Sequence, residues 1–399
     1  MHRRDRYKKS NEPQIKRKAV DERFERLPGI YIHIPFCKKK CNYCDFYSIK
    51  PTGDMAQRYT EVLVSHLRET SQFVRSPIET VYIGGGTPAM LGTKNLTTLL
   101  REVHKQYNIV STPEITIEMN PESTESKLLA SLRKAGCTRL SIGIQSAIDG
   151  ELKKLGRLHS FADAERAVEL ARDAGYYNVS VDLMYGVEGQ TAESFAYSLQ
   201  EIIKLAPEHI SCYGLKVEEG TPLWNRKEAA NLPDEDTQAD FYEIACSVLR
   251  KAGYQHYEIS NFAKPGYASQ HNLKYWRLEP YLGFGPGAHS DFADRRYAFI
   301  RSLDAYIEGI ENDGEVIKEI EEILPQHRAV EYVMLRLRLT EGFDPAEYAR
   351  QFSEWPDSMD RKLREFERSG HAKFDGRWSL TEKGFLVSNT IISSLIADI

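Results

Sequence analysis

Residues Gly29–Tyr47 read GIYIHIPFCKKKCNYCDFY, and the rest of the chain is interpreted from this stretch. It opens as an apolar run rich in Ile and Tyr, the composition of a strand. Cys37, Cys41 and Cys44 follow at C-x3-C-x2-C spacing. Three thiolates hold three irons of a [4Fe–4S] cluster, whereas ferredoxin-type sites use four. A cluster with three protein ligands leaves one iron open to a substrate. Zinc is the rival, because C-x2-C also suits it, but zinc needs a further Cys or His. His33 is the near candidate, in an alternating strand that does not oblige it to face the cysteines. A structural group of buried thiols is a third reading. Three of six cysteines bunched within eight residues argue against it.

Composition narrows the field. With 399 residues, the chain has room for two or three domains and a large core. Hydrophobic content of 41% and charged content of 28% fit a soluble globular protein. The formal net charge of −5 provides no basic field for nucleic acid. No apolar run reaches about 18 residues, so no membrane span is expected. Residues 1–28 form a polar arm without the apolar core of a signal peptide. Its basic residues suit an acidic partner or weak association with a membrane surface. Asp5, Glu12, Asp21, Glu22 and Glu25 dilute that field, so a solvated arm is expected. Iron-holding thiolates need a reducing compartment, which implies a cytoplasmic protein.

From Gly29 onward, strand-like and helix-like segments alternate. Strands are expected at Gly29–Ile34, Thr80–Ile83, Glu114–Glu118, Arg139–Ile144, Asn178–Leu183 and His209–Leu215. Helical patterns between them include Met55–Val74, Ser123–Ala135, Phe161–Ala174 and Ala192–Leu205. Six β–α units in series imply a parallel sheet with right-handed crossovers. Six is short of the eight of a complete barrel, so the expected α/β fold is an open, partial (β/α)6 barrel.

The polar features then gather at one rim, the carboxyl ends of the strands, where such folds do their chemistry. Cys37 follows the first strand, and Gly84-Gly85-Gly86-Thr87-Pro88 follows the second. Glu118 ends the third, Gln145 the fourth, and Asp182 lies near the end of the fifth. GGGTP lets main chain approach a ligand closely, though a tight strand-to-helix turn explains it equally well in isolation. Glu118, an acid in an apolar strand, needs a cationic partner. Gln145 and Asp182 fit loop hydrogen bonding as well as ligand contact. Arg157 suits a carboxylate or an ordinary surface.

The cysteine spacing, with Tyr43 before the last cysteine, resembles the radical S-adenosylmethionine (SAM) superfamily. That resemblance implies SAM chelated at the open iron and reductively cleaved there. IPFCKKKCNYCDF, YIGGGTPAML, TIEMNP, LSIGIQS, LGRLH and VDLMYGVEGQT together resemble the oxygen-independent coproporphyrinogen III oxidase family within that superfamily. The likeness covers roughly residues 29–300. It implies Cys37, Cys41 and Cys44 as cluster ligands and Tyr43 packed beside the cluster. It implies Tyr31, Gly85, Gly86, Thr87, Glu118, Gln145, Arg157 and Asp182 as SAM-site residues.

One departure is informative. The oxidases carry a further cysteine two residues after the last ligand, and here that position is Phe46. The change argues against decarboxylation of coproporphyrinogen and fits the haem-chaperone branch of the family. His271-Asn272-Leu273-Lys274-Tyr275-Trp276 resembles the HNxxYW pattern associated with haem in that branch. It makes His271 the expected haem ligand, with His289 as rival. The structural alternative is a hydrogen-bonded histidine whose Tyr and Trp neighbours fill core.

A helix is expected over Asp234–Ala252. Beyond about residue 320 come helical patterns at Gln326–Leu339, Pro345–Phe352 and Met359–Ser369, a hairpin over His371–Leu380, and a helix at Glu382–Ile396. The order suggests a winged-helix-like module. Mixed charges there favour a lid or docking role over DNA binding. The expected organisation is arm 1–28, barrel 29–233, extension 234–320 with the HNxxYW region, and C-terminal module 321–399. The expected function is haem binding and transfer to acceptor apoproteins, with an electron donor and a homodimer as further partner expectations. A radical SAM coproporphyrinogen oxidase, or another tetrapyrrole enzyme, is the alternative.

Overall fold

The structure, a computed structural model, describes residues 26–397. The polar arm, apart from Arg26, Leu27 and Pro28, lies outside the described residues. In chain order the barrel segments are β1 (Gly29–Ile34), α1 (Met55–Ser71), β2 (Ile78–Gly85), α2 (Thr93–Gln106), β3 (Ile109–Met119), α3 (Ser126–Lys134) and β4 (Arg139–Gln145). They continue through α4 (Asp149–Leu155), α5 (Phe161–Asp173), β5 (Val179–Tyr185), α6 (Ala192–Lys204) and β6 (His209–Gly214). All six expected strands form. The expected helices end one to three residues early, where the last turn passes into its cap.

β1 to β6 pair in sequence order, each parallel to the next. Period-two alternation then sorts the side chains. Ile30, Ile32 and Ile34 are fully buried on the outer face, beneath the helices. α1 meets them with Tyr59, Val62, Leu63 and Leu67, spaced for one helical stripe. Each such side chain contributes roughly 1.5–3 kcal/mol of burial. Tyr31, Tyr82 and Glu118 face the other way, into the concave interior, where Tyr31 and Tyr82 rings lie 6.3 Å apart and Tyr82 reaches Glu118.

The sheet extends beyond the six parallel strands and stays open. α7 (Glu235–Lys251) leads to β7 (Gln255–Glu258) and β8 (Asn261–Ala263), and β8 lies antiparallel to β6. α8 (Gln270–Trp276) follows, then β9 (Tyr281–Phe284), parallel to β1 on its other side. β10 (His289–Phe292), β11 (Arg295–Phe299) and, after α9 (Leu303–Glu311), β12 (Ile317–Glu322) complete twelve strands in one mixed sheet. Gly285-Pro286-Gly287-Ala288 makes the turn between β9 and β10.

The C-terminal segment is helical: α10 (Pro325–Arg336), α11 (Pro345–Gln351), α12 (Asp357–Arg368), the hairpin β13 (Ala372–Phe374) and β14 (Trp378–Leu380), then α13 (Glu382–Leu386) and α14 (Ser388–Ile396). The last expected helix is therefore two, broken at Val387. Trp378, fully buried, anchors the hairpin. Arg328 of α10 grips Asp291 of β10 through both guanidinium nitrogens, which fixes this segment to the sheet.

Candidate functional site

The loop after β1 carries Cys37, Cys41 and Cys44, all half-buried and free thiols. Main-chain bonds from Cys37 N to Ile49 O (2.9 Å) and Asn42 N to Leu155 O (3.0 Å) hold the loop at the carboxyl rim. Burial raises the Cys37 and Cys44 thiols, so both need a metal or other cation to stay ionised. Hydrogen-bond donors already stand around the sulphurs. Thr87 Oγ1 lies 3.8 Å from Cys37 Sγ, and Arg157 Nη1 lies 3.6 Å from Cys41 Sγ. Three thiolates backed by donors form the set that a three-ligand iron–sulfur cluster requires. Among the described residues, no histidine or acidic side chain completes a four-ligand set with them. The zinc alternative fails at His33, whose ring is spent on Tyr31 OH (2.9 Å) and Tyr47 O (3.0 Å).

The glycine loop after β2 packs onto the end of β1. Gly86 N donates to Ile34 O (2.8 Å) and Thr87 N to Phe36 O (2.7 Å). A Cβ on Gly84 would stand 2.5 Å from the Glu118 carboxyl carbon, so glycine is what lets Glu118 reach the rim. Glu118 accepts from Tyr82 OH and from Gly85 N, both at 2.8 Å. Burial nevertheless lifts its carboxyl to about 7. An acid with that history is stabilised by an incoming ammonium. Asp182 is likewise raised, by burial, and accepts from Ser141 Oγ at 3.3 Å.

Gln145 ends β4 with φ of 73°, a conformation non-glycine residues rarely adopt. The sheet register shifts there, between Gly143 and Gln145. The kink turns the Gln145 amide back beside Gly143 and Arg157. Arg157 itself is half-buried and tied by Nη2 to Asn120 Oδ1 (2.8 Å) and Gly143 O (2.7 Å). Tyr43 lies against Arg157 and the cysteines. Cys37, Cys41, Cys44, Tyr43, Gly85, Gly86, Thr87, Glu118, Gln145, Arg157 and Asp182 thus share one rim, with Tyr31 just below, bonded to His33. Phe46 stands on the same loop with 65% of its surface exposed.

Two residues that sequence reasoning missed hold this rim together. Asn120 donates to Thr87 Oγ1 at 2.9 Å and accepts from Arg157. Tyr82 orients Glu118. Asn120 sat inside the quoted TIEMNP motif, and its polar side chain two residues after Glu118 was the available signal. Tyr82 looked like any strand aromatic.

His271 lies apart from them, and its surroundings differ from those expected of an open haem ligand. It is in α8, 1% exposed. Its Nδ1 bonds Thr80 Oγ1 at 2.7 Å and its Nε2 bonds Tyr275 OH at 2.8 Å. Burial pushes its pKa down to about 3, helped by Lys274 and Arg139. Neither ring nitrogen is open to an iron in this conformation. His289, by contrast, is exposed at the start of β10. Strand alternation puts it on the same face of the sheet as Asp291, whose register partner on β9 is Tyr281. Gly287, two residues before it, packs against Arg301 (3.1 Å from a Cβ position to Cγ), and Arg301 donates to Asp45 O at 2.8 Å. The β9–β10 turn and the cysteine loop therefore adjoin.

Comparison with known proteins agrees with this geometry. The family model of the radical SAM superfamily matches residues 31–202, and that of the HemN C-terminal domain matches residues 323–387. "Heme chaperone HemW" of Bacillus subtilis is 33% identical over 379 residues, covering 94% of this chain and 100% of that protein. The Escherichia coli protein of the same name is 34% identical over 380 residues, with the same coverage. The solved structure of the coproporphyrinogen III oxidase HemN from Escherichia coli superposes with a TM-score of 0.81 at 23% identity, covering 94% of this chain and 91% of that one. That likeness establishes the open α/β barrel with its C-terminal helical region. No helix among the described residues is long and apolar enough to cross a membrane. End-to-end identity at this level, with the three-cysteine loop in place, shows that the chain belongs to the HemW family of radical SAM proteins.

Proposed function

We propose that this protein is a cytoplasmic haem chaperone that binds haem and hands it to acceptor apoproteins, with a [4Fe–4S] cluster and a SAM site at the barrel rim. The observation that carries the proposal is the likeness over 94% of the chain to whole haem chaperones. Phe46 in place of a fourth cysteine agrees with it.

In this reading Cys37, Cys41 and Cys44 hold the cluster, and Arg157 and Thr87 donate toward the ligating cysteine sulphurs. When bound, the cluster supplies an open iron and single electrons, which requires an electron donor. Glu118 and the main chain of Gly85 and Gly86 receive the SAM ammonium. Arg157, its guanidinium already fixed by Asn120 and Gly143, pairs with the SAM carboxylate, with Tyr31, Thr87, Gln145 and Asp182 closing the remaining sides. Tyr43 packs beside the cluster. Haem iron needs an open ligand, and neutral imidazole is a common one. His289, exposed at the start of β10, provides it. Exposed Lys38, Lys39 and Lys40 suit the propionates, and the Phe46 ring suits the macrocycle.

Anaerobic reconstitution followed by haem titration tests the reading. One haem per chain with a Soret shift, and transfer of that haem to an apo-haemoprotein, is expected. His289→Ala is expected to lose the shift while His271→Gln keeps it. Conversion of coproporphyrinogen III to protoporphyrinogen with SAM and reductant would replace the chaperone by an oxidase.

A further inference from the structure

The imidazole of His271 does more than fill space beneath the barrel. One face of the ring stacks on Tyr82, with centroids 5.3 Å apart and planes 27° from parallel. The stacked Tyr82 donates to Glu118 Oε1 at 2.8 Å, and Glu118 Oε2 takes the Gly85 N–H at 2.8 Å. His271 is therefore three contacts from the glycine loop. Its own position is fixed on every side. Thr80 and Tyr275 hold the two nitrogens at 2.7 and 2.8 Å. Glu114 takes the main-chain N–H groups of Gln270 and His271, both at 2.9 Å. Lys274, on the next part of the helix, is locked to Glu79 (2.5 Å), Glu279 (3.2 Å) and Leu27 O (2.7 Å). Gly29 on β1 leaves the room: a Cβ there would stand 3.1 Å from the His271 ring and 2.7 Å from Thr80 Oγ1.

We propose that His271 is a positioning residue for the SAM site: wedged into the amino-terminal mouth of the barrel, it fixes the Tyr82 ring, and through it the Glu118 carboxylate that meets the SAM ammonium. This rests on the assignment of Glu118 to SAM made under the proposed function. The chemistry of the wedge explains the residue type. A histidine offers a flat face for stacking and two nitrogens at opposite edges, one for a threonine hydroxyl and one for a tyrosine hydroxyl. A leucine in its place leaves the Thr80 and Tyr275 hydroxyls without this partner and frees Tyr82 to change rotamer. Turning the ring outward to an iron would break both bonds and unstack Tyr82. A glutamine keeps a donor and an acceptor within reach of the two hydroxyls.

The test uses the full chain with its cluster reconstituted without oxygen, and reads SAM affinity by calorimetry. In His271→Leu, SAM is expected to bind about tenfold more weakly, the scale of one charge-assisted contact. His271→Gln is expected to recover affinity to within about threefold of wild type, and its haem titration to match wild type. Tyr82→Phe, which keeps the stacked ring and drops the hydroxyl bond to Glu118, is expected to weaken SAM without further loss when combined with His271→Leu. The Tyr82 variant keeps the question answerable if the leucine variant does not fold. A folded His271→Leu or Tyr82→Phe protein with unchanged SAM affinity overturns the proposal. So does a His271→Gln protein that loses haem while SAM binding stays intact. Wild-type protein that holds the cluster but takes up no SAM refutes the SAM-site assignment itself.

Discussion

Arg157 stands with one guanidinium nitrogen 3.6 Å from the sulphur of Cys41, while its other nitrogen is divided between Asn120 and the Gly143 carbonyl. The fork is thus anchored to β4 before any ligand arrives. Arg157→Lys keeps the charge and loses the fork. We expect it to assemble the cluster, with SAM bound about tenfold more weakly by calorimetry. Arg157→Gln also removes the charge beside the sulphur. Its cluster potential should move to more negative values in an electron paramagnetic resonance titration, because the reduced, more negative cluster loses a favourable neighbour.

Glu118 sets a pH dependence. Burial lifts its carboxyl to about 7, with Asp182 adding to the rise, while Tyr82, Gly85 and Arg139 pull the other way. An ammonium binds the ionised form. As pH falls below about 7 the carboxyl must first shed a proton, so SAM affinity should fall by up to about tenfold per pH unit. The ligand-free protein has the opposite slope in this window. Its folded pKa lies above the unfolded value, so the folded state holds a proton that the unfolded state has lost, and this group's contribution to stability falls as pH rises from 4.5 to about 7. Glu118→Gln should flatten both curves, read by calorimetry and by urea unfolding.

Gly84→Ala tests the close approach at the glycine loop. Its Cβ would meet the Glu118 carboxyl carbon at 2.5 Å and both carboxyl oxygens at 2.6 and 2.7 Å. The side chain has to turn away, at about 1–3 kcal/mol of stability. The iron and sulfide content of the reconstituted protein should be unchanged, and SAM affinity should drop by at least about tenfold.

Asp291→Asn tests how the C-terminal helices are fastened. Asp291 takes both guanidinium nitrogens of Arg328, a residue 8% exposed, and Arg296 NH2 at 3.3 Å. The amide offers one acceptor oxygen where the carboxylate offers two, and among the described residues Arg328 keeps only Glu331, at 3.1 Å, as an ionic partner. Urea unfolding should show a loss of about 2–4 kcal/mol.

The parallel half of the fold was legible because its strands are long, β-branched and separated by amphipathic helices. The rim was legible because most of its residues lie near the carboxyl end of a parallel strand or in the loop just after it, Arg157, which follows α4, being the exception. The strands from β7 to β12 were not. They run three to six residues, and QHYE, HSDF and IKEIEE have no apolar alternation to reveal them. Their pairing is decided by neighbours distant in sequence, as when β9 finds β1. His271 shows the same limit at the level of one residue. The letters HNLKYW are compatible with an exposed ligand loop and with a buried helix, and only the approach of Thr80 and Tyr82 from β2 distinguishes the two. Tyr82 was missed because its task is to hold another side chain, which leaves no spacing signature; Asn120 has only its place two residues after Glu118 to mark it.

A twelve-stranded sheet that never closes has two borders where main-chain groups are free to recruit another strand. At one border runs β12, whose Lys318, Glu319, Glu321 and Glu322 are all exposed. Four charges in six residues, three of them acidic, make that border repel an identical copy laid alongside it. The polarity that hides this strand from a reader of the sequence also guards that border of the sheet against edge-to-edge pairing.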